Sequence, residues 1–455
     1  MKFKYVLAGL LAAASLSAMS AQAAELMFPK GEGAFTWKSL DEFKASHTGL
    51  EGKNLSIWDA WSEPGDKAQF ESVLSYFTDA TGIVVQNGSS KNYEEQARID
   101  IAAGSPANIT ILPQPGLLAD FAKQGALTDL GDDTTKWLTD NYSAGSSWAA
   151  LGQYEGKDGA VHQFAFPYKQ EVKSLVWYSP DNFAEKGYKV PETFEELMAL
   201  QEKIKADGGT PWCIGLESGG ATGWAATDWI EDILLRTETP DVYDGWVKNT
   251  IKFNDPKIVA AIDAFGAIAK VDANVAGGVK AIATTSFGDS PKGLFTVPPQ
   301  CYLHRQASFI PSFFPDGSVA GQDYNFFYFP AYASKDLGKP VLGSGNLASI
   351  TKDSPEARAF IDFLKTPIAH EIWMAQPNGS FLSANKGVNT EVYNSQANKD
   401  LGQILLNATT FRFDGSDLMP GPIGAGAFWT GMVDFVNGKS AQEVADQIQA
   451  AWDKL

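Results

Sequence analysis

Apolar and polar residues alternate along the first third of the chain in a pattern that predicts strands and helices in turn. Three short apolar runs predict strands, and they span residues 55–58, 83–85 and 108–112. Apolar residues recur at helical spacing after each run, and the helices that they predict end at Gly82, Gly104 and Gly125. A strand and a helix in turn at this spacing predict a parallel sheet with crossover helices.

Capping signals mark the starts of two later helices. Residues 173–178 form an apolar, β-prone run that predicts a buried strand. Thr193 with Glu196 predicts a capping box at the start of the long helix that follows this strand. Ser440 with Glu443 predicts a second capping box, so we expect the chain to end in an ordered helix.

The N-terminal residues predict export from the cytoplasm. Lys2 and Lys4 precede an apolar run from residue 5 to residue 16, and small residues follow up to Ala23. This pattern is typical of a secretory signal peptide cleaved after Ala23, and the alternative is an anchor that stays uncleaved. The run is shorter than the ~20 residues of a membrane-spanning helix, so we expect a soluble mature protein in the periplasm.

The length of the chain indicates how many lobes it forms, and its charge excludes some classes of binding partner. A chain of 455 residues is longer than one hydrophobic core usually supports, which favours two lobes. The formal charge is −18, and loss of Lys2 and Lys4 with the signal peptide would make it −20. Phosphate backbones and anionic lipids repel such an acidic protein, so we expect no nucleic acid and no membrane-surface partner.

The two cysteines of the chain are Cys213 and Cys301. Export into an oxidising compartment favours a disulfide between them, and the alternative is two separate buried thiols. The four histidines are scattered along the sequence, at His47, His162, His304 and His370. Neither cysteine has a metal-type partner nearby in the sequence, so we expect no metal site.

Several motifs in a fixed order resemble one protein family. They are AAGSP at 102–106, PQPG at 113–116, LLADFAKQG at 117–125, the segment 178–196, GSGNLASI at 343–350 and SPEARAF at 354–360. Together they resemble the extracellular solute-binding proteins of bacterial ABC importers, in the carbohydrate branch, over nearly the whole mature chain. One departure is Ala107-Asn108, where many relatives have Pro-Asp, so we expect no carboxylate role at that position.

The resemblance implies an α/β protein with a two-lobed periplasmic binding protein type II fold. Each lobe would be a sheet flanked by helices, and a hinge would join the two lobes. Residues 25–168 and 345–380 would form lobe one, and residues 169–344 and 381–455 would form lobe two. The resemblance also implies a monomer that needs no cofactor, closes over an oligosaccharide and delivers it to the membrane permease subunits of an ABC importer.

Loops that follow strands are candidates for sugar contacts, because ligands of α/β sheets bind beyond the carboxyl ends of strands. In the first half of the chain, the resemblance and this rule indicate Trp61, Glu63, Ser89, Gln114, Lys169 and Glu171. Gln114 lies between two prolines, and its planar amide suits a pair of contacts with hydroxyls. The alternatives are a surface turn in the first loop, a plain helix start at Gln114, and an exposed Lys169–Glu171 ion pair.

Further candidates lie in the second half of the chain, at Trp224, Thr227, Asp228, Tyr302, Gly343, Gly345, Arg412 and Trp429. The aromatic rings of Trp224, Tyr302 and Trp429 could stack on a sugar. Gly343 and Gly345 would offer backbone donors, and the guanidinium of Arg412 could bind two hydroxyls. The alternatives are a helix N-terminal charge for Asp228 and a core position for Trp429.

The segments PWCIG at 211–215 and PQCYLH at 299–304 resemble the α-glucoside-binding members of the family, which serve importers of sucrose, maltose and trehalose. The chain is therefore predicted to bind sugar and not to be an enzyme. A secreted glycoside hydrolase is the alternative, because carboxylates for a catalytic pair are abundant. A peptide or polyamine binder of the same fold is a third possibility. Gly-x-Ser-x-Gly, His-Glu-x-x-His and phosphate-loop motifs are absent from the sequence.

Overall fold

The computed structural model of the protein describes residues 26–143, 145–377 and 381–455. The predicted signal peptide and its cleavage after Ala23 lie outside these residues. Within the described ranges, no helix combines the length and the apolar character needed to cross a lipid bilayer.

Strands and helices alternate through most of the chain. The strands are β1 (Asn54–Asp59), β2 (Val84–Ser89), β3 (Ile109–Leu112), β4 (Gln153–Glu155), β5 (Val161–Gln163), β6 (Ala165–Val172), β7 (Leu175–Tyr178), β8 (His304–Arg305), β9 (Asn325–Tyr328), β10 (Pro340–Ile350) and β11 (Thr410–Phe413). The helices are α1 (Trp37–Ser46), α2 (Pro64–Thr81), α3 (Tyr93–Ala102), α4 (Pro115–Gln124), α5 (Asp132–Asn141), α6 (Gly145–Ala150), α7 (Pro180–Lys186), α8 (Phe194–Ala206), α9 (Trp224–Thr237), α10 (Pro240–Val247), α11 (Pro256–Ala269), α12 (Pro355–Lys365), α13 (Pro367–Met374), α14 (Gln396–Leu406), α15 (Gly415–Leu418), α16 (Trp429–Val436) and α17 (Ala441–Trp452).

The larger sheet has the strand order β2-β1-β3-β10-β11. β1 pairs in parallel with both β2 and β3, and α2 and α3 form the two crossovers. The predicted parallel sheet with crossover helices is therefore confirmed. β10 runs antiparallel to β3 and parallel to β11, and β6 pairs antiparallel with β10. The mixed sheet agrees with the α/β class predicted for the chain.

A smaller sheet forms in the second half of the chain. β7 lies in its middle, and β8 and β9 pair antiparallel on either side. The predicted strand at 173–178 is β7, which begins only at Leu175. Helices α9, α11, α16 and α17 pack against one another beside this sheet. Each half of the molecule thus has a sheet and its own set of helices, as the two-lobed fold requires.

Buried residues form two large hydrophobic cores. The first core includes Leu55, Phe70, Phe77, Ile111 and Phe363. The second core includes Val176, Trp229, Phe265, Leu342 and Ile448. Residues 381–455 are predicted to belong to lobe two, yet Phe381, Ala384 and Val392 pack in the first core. The predicted lobe boundaries stay a prediction.

β6 and β10 connect the two cores. Every residue of both strands is buried, and they pair from Gly343 opposite Val172 to Ser349 opposite Ala165. Leu342 near the start of β10 packs in the second core, whereas Leu347 and Ile350 near its end pack in the first. The predicted lobe boundaries after residues 168 and 344 fall inside these two strands.

Cys213 and Cys301 form the predicted disulfide, which joins positions 88 residues apart. Both cysteines are buried in a smaller cluster that also contains Trp177 and Leu294. Gly293 lies against the bond, because a Cβ atom built on it would be 2.5 Å from the sulfur of Cys301. The disulfide therefore ties the segment after α8 to the strand region near β8.

The two predicted capping boxes differ. At α17, Ser440 accepts from the N–H of Glu443 while the Glu443 carboxylate accepts from the N–H of Ser440, so this box is confirmed. At α8, the Thr193 hydroxyl caps the N–H of Glu196 at 3.1 Å. The carboxylate of Glu196 accepts instead from the N–H of Glu192, one residue before the cap. The predicted box at Thr193 is thus wrong in its second arm.

Candidate functional site

A cleft lies between the two cores, beside β6 and β10. It encloses about 850 Å³ of space outside the protein atoms, part of it open to solvent. Its aromatic wall residues are Trp61, Tyr93, Trp224, Phe287, Phe309, Phe313 and Trp429. Its charged and amide-bearing wall residues are Glu63, Asp66, Lys91, Gln114, Lys169, Glu171, Lys173, Asn346, Asp414 and Asp417. The cleft is thus lined by ring faces and by hydrogen-bonding groups.

The loop after β1 brings Trp61 and Glu63 to the cleft. Asp59 at the end of β1 accepts a hydrogen bond of 2.6 Å from the backbone N–H of Trp61, which fixes the turn. The Trp61 ring packs on Phe70 with centroids 4.6 Å apart, so one face belongs to the first core. Glu63 forms an ion pair of 3.0 Å with Lys91.

Gln114 is buried on the cleft wall between β3 and α4. Its Nε2 donates a hydrogen bond of 3.1 Å to Glu94, and burial raises the pKa of Glu94 to about 7. Pro115 begins α4 directly after Gln114, so the backbone around the amide is restricted. The side chain is therefore held in place before any ligand binds.

β6 and β10 supply the floor of the cleft. Lys169 and Glu171 on β6 form a buried ion pair of 3.1 Å, and Ser344 on β10 donates to Glu171 at 2.8 Å. The Lys169 ammonium also lies 5.0 Å from the ring centroid of Trp373, a cation–π distance. The exposed ion pair considered for Lys169 and Glu171 is not what forms, because both side chains are buried.

Residues alternate between the two faces of β10. Ser344 and Asn346 reach the cleft wall, while Gly343 and Gly345 pack against β6. A Cβ atom at Gly345 would lie 2.4 Å from the backbone oxygen of Lys169. The glycines therefore allow the close approach of two backbones, and their neighbours carry the polar groups.

Trp224 and Trp429 form the wall on the side of the second core. Trp224 begins α9, and the ammonium of Lys173 lies 5.3 Å from its ring centroid. Gly223 precedes it with a φ of +116°, and a Cβ atom there would lie 2.1 Å from the backbone oxygen of Trp429. Only glycine fits between these two tryptophans, so the local backbone is arranged around the cleft aromatics.

Three buried polar atoms on the cleft wall have no hydrogen-bond partner among the residues that the structure describes. They are Gln114 Oε1, Asn346 Oδ1 and Trp429 Nε1, which we call the open polar atoms. A buried polar atom without a partner is costly, by roughly 1–3 kcal/mol. A ligand with hydroxyl groups would satisfy two acceptors and one donor at once.

An acidic cluster extends from the cleft wall into the interior, and we define it as Asp228, Glu231, Asp232, Asp414 and Asp417. Lys173 donates to Asp228 at 2.8 Å and also to Asp414. Arg305 forms an ion pair of 2.8 Å with Asp232 and lies 3.4 Å from Asp228. Arg236 pairs with Asp232 as well. The cluster is therefore a buried network of mixed charge.

The carboxyl groups of the acidic cluster differ in their pKa values. Burial opposes ionisation of Asp414, but the Lys173 ammonium and its hydrogen bonds lower the Asp414 pKa below its usual value. Burial and the neighbouring Asp414 raise the pKa values of Glu231 and Asp417 well above the usual range. Of these three groups, Asp414 next to Lys173 is therefore the one that most readily carries a negative charge.

Oxygen atoms of Asp228, Glu231 and Asp414 lie within 4.8 Å of one another, a spacing that could hold a metal ion. The ammonium of Lys173, however, already donates to two of these three carboxylates. It supplies at this position the positive charge that a cation would bring. The cluster thus fits an internal ion-pair network.

The two sides of the cleft touch each other at its edges. Ser312 donates a hydrogen bond of 2.9 Å to Asp66, and the N–H of Gly220 donates to Asn92 at 2.6 Å. The N–H of Gly421 donates to Asp120 at 3.1 Å. These contacts join elements of the first core to elements of the second, so the protein adopts a closed arrangement.

The structure brings half of the sequence-predicted site residues to the cleft. Those on its wall are Trp61, Glu63, Gln114, Lys169, Glu171, Trp224 and Trp429. Those that lie away from its wall are Ser89, Thr227, Asp228, Tyr302, Gly343, Gly345 and Arg412. Trp61 and Trp429 serve the cores as well, which accounts for their burial.

The residues away from the wall have other contacts. Arg412 forms a two-point ion pair with Asp244, and Tyr302 packs its ring on Tyr188 with centroids 5.4 Å apart. Thr227 is buried and bonds to the backbone oxygen of Trp224 at 2.8 Å. Asp228 belongs to the acidic cluster, and Ser89 ends β2 opposite Asp59 of β1. Asp228 was also considered as a helix N-terminal charge. Its carboxylate instead accepts a hydrogen bond from Lys173.

Sequence reasoning did not single out several residues of the wall. The buried polar residues among them include Lys173, Ser344, Asn346, Asp414, Ser416 and Asp417. The signal for Ser344 and Asn346 was available, because polar residues in an otherwise apolar strand are typical of a cavity face. The two aspartates offered no such signal, since tertiary contacts alone bring α15 to the cleft.

Comparison with known proteins places the chain among binding proteins. The family described as bacterial extracellular solute-binding protein matches residues 60–371. The alpha-glucosides-binding periplasmic protein AglE of Rhizobium meliloti is 61% identical over 435 residues, 95% of this chain and 94% of that protein. The osmoprotective compounds-binding protein GgtB of Synechocystis sp. is 40% identical over 85% of this chain and 89% of that protein.

Solved structures show the same fold at lower identity. The bacterial solute receptor AcbH, described as preferring β-D-galactopyranose, superposes with a TM-score of 0.75 at 19% identity, covering 88% of this chain and 98% of that chain. A chitin oligosaccharide binding protein superposes with a TM-score of 0.74 at 18% identity, covering 89% and 99%. Both confirm the predicted two-lobed fold. The chain belongs to the family of bacterial extracellular solute-binding proteins, whose members bind their ligands and do not act as enzymes.

Proposed function

We propose that this protein captures an α-glucoside in the cleft and delivers it to the permease of a bacterial ABC importer. The relative from Rhizobium meliloti is named for α-glucoside binding, and its similarity extends over nearly the full length of both chains. Sucrose, maltose and trehalose are the candidate ligands.

The observation that carries this proposal is the set of open polar atoms between aromatic walls. Sugar hydroxyls can donate to Gln114 Oε1 and to Asn346 Oδ1 and can accept from Trp429 Nε1. The C–H faces of a pyranose ring suit the faces of Trp224 and Trp429. A ligand with both features satisfies the buried polar groups and packs against the aromatic rings of the cleft wall.

The predicted site residues on the wall are proposed to contact the sugar. Trp61, Trp224 and Trp429 would offer ring faces or edges. Glu63 and Glu171 would accept hydrogen bonds from sugar hydroxyls, and Lys169 would donate one. Hydrogen bonds to charged groups of this kind are stronger than those between neutral groups. Gln114 would accept from a sugar hydroxyl at Oε1 alone and not through both amide atoms, because its Nε2 already donates to Glu94.

The proposal also covers the export, the processing and the oligomeric state of the protein. The chain would be exported to the periplasm, lose its signal peptide after Ala23, act there as a monomer and present the loaded, closed form to the permease subunits. N-terminal sequencing of the periplasmic fraction should begin at Ala24, and light scattering should give the mass of one chain. A retained N-terminus or a stable dimer would contradict these points.

Calorimetry with purified protein tests the ligand class. Sucrose, maltose and trehalose should be titrated beside cellobiose, which has the same glucose units in β linkage. We expect saturable one-to-one binding of at least one α-glucoside, weaker binding of cellobiose, and full recovery of the intact sugar afterwards. The proposal fails if none of the α-glucosides binds, and recovery of monosaccharides would point to a hydrolase.

A further inference from the structure

One carboxylate on the cleft wall is buried without a counterpart. Asp417 lies on α15 and is only 6% exposed, and its carboxylate receives no hydrogen bond from the described ranges of the chain. Its backbone N–H is satisfied by Asp414 at 2.9 Å, so the side chain alone is left open. An isolated buried carboxylate is strongly unfavourable in its ionised form.

The charges around Asp417 do not balance. The acidic cluster contains five carboxylates, whereas the cations bonded to it are Lys173, Arg236 and Arg305. Each of these three cations is already paired with Asp228, Asp232 or Asp414. Burial and repulsion by Asp414 accordingly raise the pKa of Asp417 well above its usual value, which favours the protonated carboxylic acid.

A second buried acceptor without a partner is on a residue of the cleft wall beside a helix that packs against α15. Gln114 immediately precedes α4, and α4 packs against α15. A Cβ atom at Gly116 would be 3.1 Å from the backbone oxygen of Asp417, which shows how closely these two elements meet. Gln114 Oε1 is one of the open polar atoms. Both Gln114 Oε1 and the Asp417 carboxylate accept hydrogen bonds, so this end of the cleft requires a ligand rich in donors.

We propose that Asp417 and Gln114 Oε1 form a subsite for a positively charged amino group, so that the cleft binds a basic amino-glucoside more tightly than the neutral sugar of the same shape. This inference rests on the proposed function, because it concerns the same cleft. An ammonium group offers three donors and a full positive charge, while a hydroxyl offers one donor. Hydrogen bonds between charged partners are about twice as strong as those between neutral groups.

Binding of the ammonium changes the state of Asp417 in a defined way. The carboxylic acid of Asp417 loses its proton to the buffer, and the carboxylate that results pairs with the ligand ammonium. Gln114 Oε1 accepts a second N–H of the same group. The negative charge that Asp417 gains on losing its proton is thereby matched by the positive charge of the ammonium.

The test compares neutral sugars with their amino derivatives. Maltose and trehalose are titrated beside derivatives in which one hydroxyl at a time is replaced by an amine, at a pH where the amine is protonated. The readout is the affinity ratio of each derivative to its parent sugar. We expect at least one derivative to bind the wild-type protein about tenfold more tightly than its parent, and we expect Asp417→Asn to bring this ratio to about one or below.

Two further variants sharpen the assignment to Asp417. Asp417→Glu keeps the negative charge and should keep a ratio above one. Asp244→Asn removes a carboxylate that lies away from the cleft wall and is paired with Arg412, so the ratio should stay close to that of the wild type. If Asp417→Asn does not fold, the wild-type protein gives a separate readout. The heat of binding the amino derivative should vary with the ionisation enthalpy of the buffer, because a proton is released.

The outcomes separate this inference from the proposed function. If maltose or trehalose binds but no amino derivative binds more tightly, the subsite is refuted and the proposed function stands. If a derivative binds more tightly and folded Asp417→Asn keeps the ratio, Asp417 is not the residue responsible. A buffer-independent heat for the favoured derivative also overturns the inference. If neither parent sugars nor derivatives bind, both proposals fail.

Discussion

Arg412 on β11 holds Asp244 on α10 through two contacts, 2.6 Å from Nε to Oδ1 and 2.9 Å from Nη2 to Oδ2. The guanidinium is therefore engaged away from the cleft, although its fork would suit sugar hydroxyls. We predict that Arg412→Ala leaves the affinity for α-glucoside unchanged. The melting temperature should fall only slightly, because both partners are partly exposed and such pairs contribute at most ~1 kcal/mol. Calorimetry and thermal unfolding of the variant check both points.

Gln114→Ala should have the opposite effect on binding. The substitution removes Oε1 from the cleft wall, and a hydrogen bond lost in a desolvated site costs roughly 1–3 kcal/mol. We therefore expect an affinity loss of about tenfold or more, measured by the same titration. The unliganded protein should lose little stability, because the loss of the Nε2 contacts to Glu94 and Tyr93 is offset by removal of the unpartnered Oε1. An unchanged affinity would mean that sugar does not reach this wall.

The role of the indole N–H of Trp429 can be tested by a substitution that removes this donor and keeps an aromatic ring. Trp429→Phe removes one of the open polar atoms, and we predict weaker α-glucoside binding by about fivefold to a hundredfold. The matched control is Trp246→Phe. The Trp246 Nε1 is also buried and also lacks a partner in the described part of the chain, but it lies away from the cleft. Equal losses of affinity in the two variants would contradict a sugar contact at Trp429.

Removal of the disulfide between Cys213 and Cys301 should change the stability of the protein and not its affinity for sugar. Cys213 and Cys301 close a loop of 88 positions, for which the chain-entropy model gives up to ~5 kcal/mol of stabilisation. Cys213→Ser with Cys301→Ser should lower the free energy of unfolding in urea by about 2–5 kcal/mol and leave affinity nearly unchanged. Mass analysis after alkylation provides the control. Two alkylatable thiols in the exported, unreduced protein would count against the bond.

His370 makes stability depend on pH. Its Nε2–H donates to Leu364 O at 2.8 Å, and its Nδ1 lies 2.8 Å from the Ser383 hydroxyl, which can donate to the neutral ring. Burial lowers the pKa of His370 to about 4, below the ~6.5 of the unfolded chain. The contribution of the neutral ring is thus fully present above pH 6.5 and is lost as the pH falls toward 4. The slope is at most about 1.4 kcal/mol per pH unit.

Unfolding in urea between pH 4 and pH 7 should show this dependence, and His370→Gln should flatten it. His162→Gln is the control. His162 is exposed beside Asp158, which raises its pKa, so its contribution has the opposite sign and is lost as the pH rises. Its removal should not flatten the slope. A wild-type slope that His370→Gln leaves unchanged would refute the role of His370.

Local signals in the sequence predicted the elements of the fold well. The apolar runs of β1 and β3 and the glycines that end α2 and α4 are local features, and each is found near its predicted place. Thr193 shows the limit of such signals. Its own cap forms as predicted, whereas the Glu196 side chain finds a neighbouring N–H equally within reach.

The cleft could be predicted only in part. Trp61 and Gln114 were accessible to sequence reasoning because strand ends and their loops define one edge of a parallel sheet. Asp417 was not, since its distance along the chain from Gln114 is about 300 residues and only tertiary packing joins them. The position of Arg412 depends in the same way on Asp244, which is 168 positions away.

The passage of β10 through both cores has a consequence for synthesis and export. β3 pairs with β1 early, but it finds its second neighbour, β10, only when Leu347–Ile350 are synthesised, more than two hundred residues later. The first core therefore cannot close while the N-terminal part of the chain emerges alone. A chain that completes its native pairing so late stays unfolded for longer, which suits a protein proposed to cross a membrane before it folds.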